Sequence, residues 1–486
     1  MRRRLGLLVA AAVLVAACSS ADATPADTST DTAAGTREPG DTSEPGDTTA
    51  VERVRFVYPD PPESPATAVP NAAADEAIDR IVEGIGGGFF DAGGVTLLAE
   101  GGDVRHAWFV ADLLRFFAGP DADVLVDAFE TLSGVSIADD PDLQRSPWLS
   151  VTNHLITWDT PAYDGYQEDK AFIFVLLEDG WAPFFGDADA DIDWRYLSWG
   201  GVFIDDRLLG DPNTCPGGCI PALDDPATTD AAGGDWYPDE RVVFGIEVGG
   251  EALAIPLNIA EIHEMFNLTL GDRRLGIPYC TLCGSAQAYF TDDLVGVADA
   301  LVEPGVLRTS GLLSRSNKVM YELTTESVFD TFTGAAVSGP LQDAGVVLEE
   351  TTVVRSTWAE WKAEHPDTRI IARDGGLGRS YELDPLGGRD DDGPIFPIGE
   401  ADQRLGVQEF VVGVIVDDGS PIAFPSDAAT AALEAGDSVE LGGIALRTSG
   451  DGLVAVDADS GTSVAAHEAF WFAWSQFHPD TLLWEP

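Results

Sequence analysis

The chain has 486 residues, 45% of them hydrophobic, and carries a formal net charge of −56 from 27 basic and 83 acidic side chains. A surface this acidic repels phosphate backbones and anionic headgroups, which argues against nucleic acid as a partner and against an electrostatic hold on a membrane. Solubility is the plainest reading of so much charge of one sign.

The chain opens on Arg2, Arg3 and Arg4, followed by an apolar run over residues 5–17. The run is too short to span a bilayer, which takes about 20 residues. Charge, a short apolar stretch and then small residues form an export signal. Val15-Ala16-Ala17-Cys18 resembles the bacterial lipobox, so residues 1–17 read as a signal peptide and Cys18 as the lipid-bearing mature N-terminus. An ordinary signal peptide with an incidental cysteine is the alternative. The expected location is the cell envelope, outside the cytoplasm, with the lipid anchor as the hold on the membrane. Residues 18–71 are Thr, Asp, Ala, Pro, Glu and Gly with few large apolar side chains. Such a segment cannot bury enough surface to offset its ordering entropy, and it reads as a disordered acidic tether.

Residues 72–193 read as a small helical domain. Ile78, Ile81 and Ile85 share one helix face, and Trp108, Leu113, Leu114, Phe116, Leu125 and Leu132 continue the pattern. Residues 194–486 read as a larger β-rich domain, which makes the fold class α+β. Val243-Phe244-Gly245-Ile246-Glu247-Val248, then Gly249-Gly250, then a second apolar run to Ile255 forms a hairpin signal. A short helix over residues 258–266, a Gly271-Asp272 turn and a strand running into Cys280 follow.

An internal repeat relates residues 243–368 to 411–481. Val411 to Phe424 echoes the hairpin. Leu307-Arg308-Thr309-Ser310-Gly311 returns as Leu446-Arg447-Thr448-Ser449-Gly450. Trp358-x-x-Trp361-x-x-x-His365-Pro366-Asp367-Thr368 returns as Trp471-x-x-Trp474-x-x-x-His478-Pro479-Asp480-Thr481. Three features in one order indicate two related β units. In each, two Trp three apart share a helix face, His sits at the helix end where it suits the dipole, and Pro stops the helix.

The sharpest chemical feature is Tyr279-Cys280-Thr281-Leu282-Cys283-Gly284. A Cys-x-x-Cys brings two sulfurs close enough for a disulfide, for thiol exchange, or for joint metal ligation. All three readings stay open. The strand pattern after Cys283 argues against a thioredoxin fold, which places this motif at a helix N-terminus. His263 precedes the pair by a short stretch and could serve as thiol base or metal ligand. Cys215-Pro216-Gly217-Gly218-Cys219 could close a local disulfide; with Cys18 lipidated, four cysteines remain, an even number. His263-Glu264-Met265-Phe266-Asn267 lacks the second His of a zinc protease, and the acidic run 187–193 lacks the Gly and Glu of a calcium loop. No phosphate loop, dinucleotide fingerprint or Gly-x-Ser-x-Gly is present, and no cofactor is assigned.

Several of these segments together carry a resemblance. Gly200-Gly201-Val202, Ile220-Pro221-Ala222-Leu223-Asp224-Asp225-Pro226, the hairpin, His263-Glu264, Tyr279-Cys280-x-x-Cys283-Gly284, Ser310-Gly311-Leu312-Leu313, Asn317-x-Val319-Met320-Tyr321 and Trp358-Ala359-Glu360-Trp361 resemble the bacterial domain-of-unknown-function 3179 family. The resemblance covers about residues 194–485. It implies no established activity, but it does imply relatives with selenocysteine in the Cys-x-x-Cys region, which favours redox chemistry there. The chain departs from the family pattern at Thr281, where Pro is common, at Val328-Phe329-Asp330, and in the additional Cys215/Cys219 pair. The expectation is therefore an exported thiol-redox lipoprotein using Cys280, Cys283 and His263, with an exported redox protein as partner. A metal-binding module on the same cysteines, or a non-catalytic scaffold with structural disulfides, are the alternatives.

Overall fold

The structure, a computed structural model, describes residues 56–65, 71–211, 215, 217–388, 393–416 and 418–486. The signal peptide and Cys18 lie outside the described residues, as does most of the tether. Within the segment read as tether, residues 56–65 are placed against the helical region. Phe56 and Tyr58 set their rings edge-on against His154, and the Trp158 indole donates to the Pro59 carbonyl at 2.8 Å. Two aromatic side chains are enough to dock this stretch on the helices, well before the first helix begins. No described helix is long and apolar enough to cross a membrane.

Helices occupy the chain from Ala72–Gly86 to Ala182–Phe185, and a β-rich body of five sheets follows. The first helix buries Ala74, Ile78, Ile81 and Ile85 on one face, as the 3.6-residue period requires, and Asn71 caps it by accepting from the Ala74 amide. The helices share one apolar core with the sheet beside them. Trp108, Phe109, Phe129 and Trp181 belong to the same cluster as Leu312, Leu313, Val319 and Tyr321. The Trp181 indole donates to the Ser310 carbonyl at 2.7 Å, fastening the last helices to that sheet.

The strands of the body that matter for the site and the repeat are β1 (Val242–Val248), β2 (Glu251–Pro256), β3 (Met265–Leu270), β4 (Arg273–Cys280), β5 (Leu307–Ser314), β6 (Asn317–Glu322), β7 (Val354–Thr357), β8 (Arg369–Ile371), β9 (Phe410–Ile415), β10 (Pro421–Pro425), β11 (Ile444–Ser449), β12 (Gly452–Asp457), β13 (His467–Phe470) and β14 (Leu482–Leu483); further short strands complete the five sheets. β1 and β2 form the expected hairpin, with Gly249 and Gly250 at positive φ in its turn. The helix after β2 ends at His263 rather than at residue 266. Glu264 takes a left-handed conformation, φ +50°, and turns the chain so that Met265 and Phe266 start β3 and bury in the body.

The two related segments share one topology. β1 pairs antiparallel with β2 and β7, and β2 pairs parallel with β8. β9 pairs antiparallel with β10 and β13, and β10 pairs parallel with β14. The register matches as well: Gly245 faces Ala254 in the first unit, and Gly413 faces Ala423 in the second. Each glycine leaves room for a Trp ring of its own unit. A Cβ on Gly245 would come within 2.4 Å of Trp361, and one on Gly413 within 1.9 Å of Trp474. The indoles donate to Thr368 and Thr481 at 3.0 and 2.8 Å, which explains why the His-Pro-Asp-Thr tail recurs with its tryptophans.

The repeated Leu-Arg-Thr-Ser-Gly segments do not share a place. Gly450 closes the turn between β11 and β12, whereas Gly311 lies inside β5, at a bulge where the pairing with β6 shifts. The structural counterpart of the Gly450-Asp451 turn is Gly271-Asp272 between β3 and β4. His478 also departs from its expected role. Burial holds its imidazole down to about 4, so it is neutral at pH 7 and packs at a tilt against Trp474, ring centres 4.5 Å apart, instead of answering a helix dipole with charge.

Candidate functional site

Cys280 ends β4, and a tight turn follows in which the Cys283 amide donates to the Cys280 carbonyl at 3.2 Å. The turn passes into Gly284 at φ +61°, against which the rings of Phe410 and Phe470 pack too closely to admit a Cβ. Both cysteines are free thiols, Cys280 at 2% exposure and Cys283 fully buried. The Ser316 carbonyl, in the turn between β5 and β6, lies 3.4 Å from Cys283 Sγ and 3.9 Å from Cys280 Sγ.

Lys318 on β6 lies beside the pair. Its ammonium donates to the carbonyls of Glu264 and Tyr279 at 2.6 and 3.0 Å and pairs with Glu264 Oε2 at 3.0 Å. The other carboxylate oxygen of Glu264 accepts from the Thr281 hydroxyl at 3.0 Å. Thr281 thus ties the loop between the two cysteines to the ion pair.

The surroundings separate the two thiols. Burial disfavours the Cys280 thiolate and the Glu264 charge adds to that. The thiol of Cys283 and the ammonium and amide of Lys318 outweigh both, and its pKa falls below the ordinary thiol value. Burial and the neighbouring Cys280 push Cys283 well above it. Cys283 has one proton to give. In the dithiol it goes to the Ser316 carbonyl; once Cys280 ionises, it turns to the thiolate.

A cleft of about 390 Å³ opens on Cys280 at the junction of the helical region and the β body, and Cys283 does not reach it. Its walls are mostly apolar, with Ile220, Leu282, Leu312, Val319, Ile395 and Phe396 among them. Arg115, Glu261, Glu264 and Lys318 are its charged members. A buried charge cluster behind the cleft holds the loop bearing Ile220. Arg308 grips Asp224 with two hydrogen bonds of 2.8 and 2.7 Å, Arg207 pairs with the buried Asp205 at 2.7 Å, and Asp205 accepts from the Ala222 amide.

His263 lies elsewhere. Its Nδ1 meets the Pro221 carbonyl at 2.7 Å and its Nε2 the Tyr381 hydroxyl at 2.8 Å, so neither nitrogen is directed at the sulfurs. Burial lowers its pKa to about 4, which leaves a neutral ring with the proton on Nδ1 and Tyr381 donating to Nε2. The polar groups beside Cys280 are those of Lys318 and Glu264. Cys215 and Cys219 form a disulfide. Among the described residues, the one group of three metal-ligating side chains is Asp205 with Cys215 and Cys219. There the sulfurs are bonded to each other and the carboxylate is already engaged. Cys280 and Cys283 have no third His, Cys, Asp or Glu placed with them among the described residues, so a metal would find two of the four ligands a structural site uses.

A family model described as a protein of unknown function, DUF3179, matches residues 217–481, more than half of the chain. The chain belongs to this family. The DUF3179 match takes in both related units, the Cys-x-x-Cys and Lys318, and it stops short of Arg115, Gly200, Gly201 and Val202, which also line the cleft. No curated protein and no solved structure matches the chain.

Sequence reasoning passed over Lys318, which stands at the unspecified position of Asn317-x-Val319. A signal was available. The chain has only three lysines, Lys170, Lys318 and Lys362. A lysine used so sparingly is worth locating. Lys170 is also buried, with its ammonium 2.6 Å from Asp112 and 3.0 Å from the Tyr166 hydroxyl inside the helical core.

Proposed function

We propose that this member of the DUF3179 family is a thiol oxidoreductase, with Cys280 as the attacking thiol and Cys283 as the resolving one. One observation carries the reading: of two adjacent free thiols, only the one with the lowered pKa faces a cleft. The Cys280 thiolate attacks the electrophilic atom of an oxidant, and the displaced group leaves with the bonding pair. Cys283 then attacks the Cys280 sulfur, closing the disulfide and expelling the remainder of the oxidant with the second pair. Two electrons pass from the dithiol to the oxidant, and an external dithiol restores the pair by the reverse exchange. Thiol alkylation against pH tests the assignment. Cys280 should label at a pH where Cys283 does not, and Cys280→Ser should abolish the fast phase. Two cysteines that resist both reductant and alkylation in the native protein would overturn it.

The work site proposed for this activity is the cell envelope, with Cys18 as the lipid attachment point. Support comes from Arg2 to Arg4, the short apolar run and the lipobox-like Val15-Ala16-Ala17-Cys18. Cys18→Ala should move the protein from the membrane fraction to the soluble envelope fraction. An unchanged distribution would remove the anchor from the account.

A further inference from the structure

The redox reading leaves the oxidant unnamed, and the cleft restricts it. Resting on that reading, we infer that the oxidant is a small, neutral organic hydroperoxide with a hydrocarbon body, reduced at Cys280 to the corresponding alcohol.

The argument begins with access. Cys280 is 2% exposed and faces a space of about 390 Å³, in the range of small-molecule sites. A disulfide on the surface of a folded protein cannot be brought into line with a sulfur so placed, because its own chain would collide with the walls. A small molecule can enter.

Charge and polarity narrow the class further. The chain carries a net charge of −56, which lowers the local concentration of anionic oxidants. Ile220, Leu282, Leu312, Val319, Ile395 and Phe396 would strip water from a polar molecule without returning hydrogen bonds. A hydroperoxide with an apolar body has one polar end. It can lay its hydrocarbon on these walls and present the peroxide oxygen to the sulfur.

The chemistry balances on the two cysteines. The Cys280 thiolate attacks the terminal oxygen, the O–O bond breaks, and the alkoxide takes up a proton to leave as the alcohol. Cys280 becomes a sulfenic acid. The Cys283 thiol condenses with it, forming the disulfide and releasing water. A small external dithiol then reduces the disulfide by exchange, so hydroperoxide and dithiol become alcohol, disulfide and water.

The test uses the full chain, reduced and freed of reductant, with cumene hydroperoxide, hydrogen peroxide and 2-hydroxyethyl disulfide as separate oxidants. Formation of the Cys280–Cys283 disulfide is followed by alkylation and mass spectrometry. Cumene hydroperoxide should react at least about ten-fold faster than hydrogen peroxide, a discrimination that even small changes in apolar contact supply. In Cys283→Ser, dimedone should trap a sulfenic acid on Cys280. Ile395→Ser, at the half-buried edge of the cleft, should lower the ratio of the cumene hydroperoxide rate to the hydrogen peroxide rate. Cumene hydroperoxide no faster than hydrogen peroxide, alongside brisk reaction with the small disulfide, would overturn the hydroperoxide assignment and keep the redox reading. Failure of all three oxidants would overturn both.

Discussion

A thiolate inside a protein needs donors and a counter-charge, and Cys280 draws the first from the Cys283 thiol and the Lys318 amide and the second from the Lys318 ammonium. The ammonium is fixed by two carbonyls and by Glu264, so it cannot follow the sulfur or leave it. Lys318→Met should therefore move the alkylation profile of Cys280 to higher pH, and Lys318→Met with Glu264→Gln should move it back, because the Glu264 charge opposes the thiolate. An unmoved profile in the single variant would remove Lys318 from the thiol's account. His263 makes a different prediction, one of stability. Its folded pKa of about 4 lies below the ordinary 6.5. Above pH 6.5 both folded and unfolded rings are neutral. As pH falls from 6.5 to 4, the unfolded ring takes a proton that the folded one refuses, so stability is lost across that window. The loss is about 3 kcal/mol at most, since each tenfold difference in proton affinity between the two states is worth about 1.4 kcal/mol. The groups around the ring are the Pro221 carbonyl, Tyr381, Arg379, Arg207 and Asp205. His263→Gln should flatten the fall of melting temperature between pH 6.5 and 4, and an unchanged slope would count against the buried neutral ring.

At the scale of elements, much was legible and the failures are instructive. The hairpin glycines, the paired tryptophans and the Cys-x-x-Cys turn are local patterns, each decided by residues within a few positions, and they appear where the patterns place them. The Leu-Arg-Thr-Ser-Gly match failed because five similar residues say nothing about which strand they pair with; Gly311 serves a bulge and Gly450 a turn. The helix read to residue 266 stops at His263 because tertiary burial of Met265 and Phe266 outweighs helical periodicity. The site itself was half legible. Cys280 and Cys283 are neighbours in sequence, but Lys318 reaches them only through the pairing of β5 with β6, which no local pattern encodes. The glycines under the tryptophans carry the element-scale prediction. Gly413→Ala places a methyl 1.9 Å from the Trp474 ring, and overpacking of this kind costs about 3 kcal/mol. Thermal unfolding should show the loss, and a melting temperature equal to the parent's would mean the ring moves freely aside.

At the scale of the whole molecule, each unit completes the other. The amide of Phe470, just before the second Trp helix, donates to the Cys283 carbonyl of the first unit at 2.9 Å. Its counterpart Thr357, just before the first Trp helix, donates to Asp451 of the second unit at 2.7 Å, and Ser356 donates to the same oxygen at 2.6 Å. Asp451→Ala would leave these donors without their carboxylate, at a cost of about 1–3 kcal/mol. Calorimetry should show one transition moved downward. Two separated transitions would mean that the units are not joined through these contacts.

That exchange has a consequence for assembly. The Ser356–Asp451 contact spans 95 positions, so closing it carries the loop entropy of a long, non-local contact. The seat of the Cys283 turn is built from Phe410 and Phe470, which come late in the chain. Without the C-terminal unit the turn keeps Ser316, Lys318 and Phe332 beside it but loses Val411, Ala469, Trp471 and Trp474, which make up much of the apolar cover of both cysteines. Oxidation before that cover is in place is less selective, and in the finished fold Cys280 lines the cleft and Cys283 does not. The second unit acts as the closing half of a mould: it backs the turn that carries the two sulfurs, while the walls of the cleft come from elsewhere.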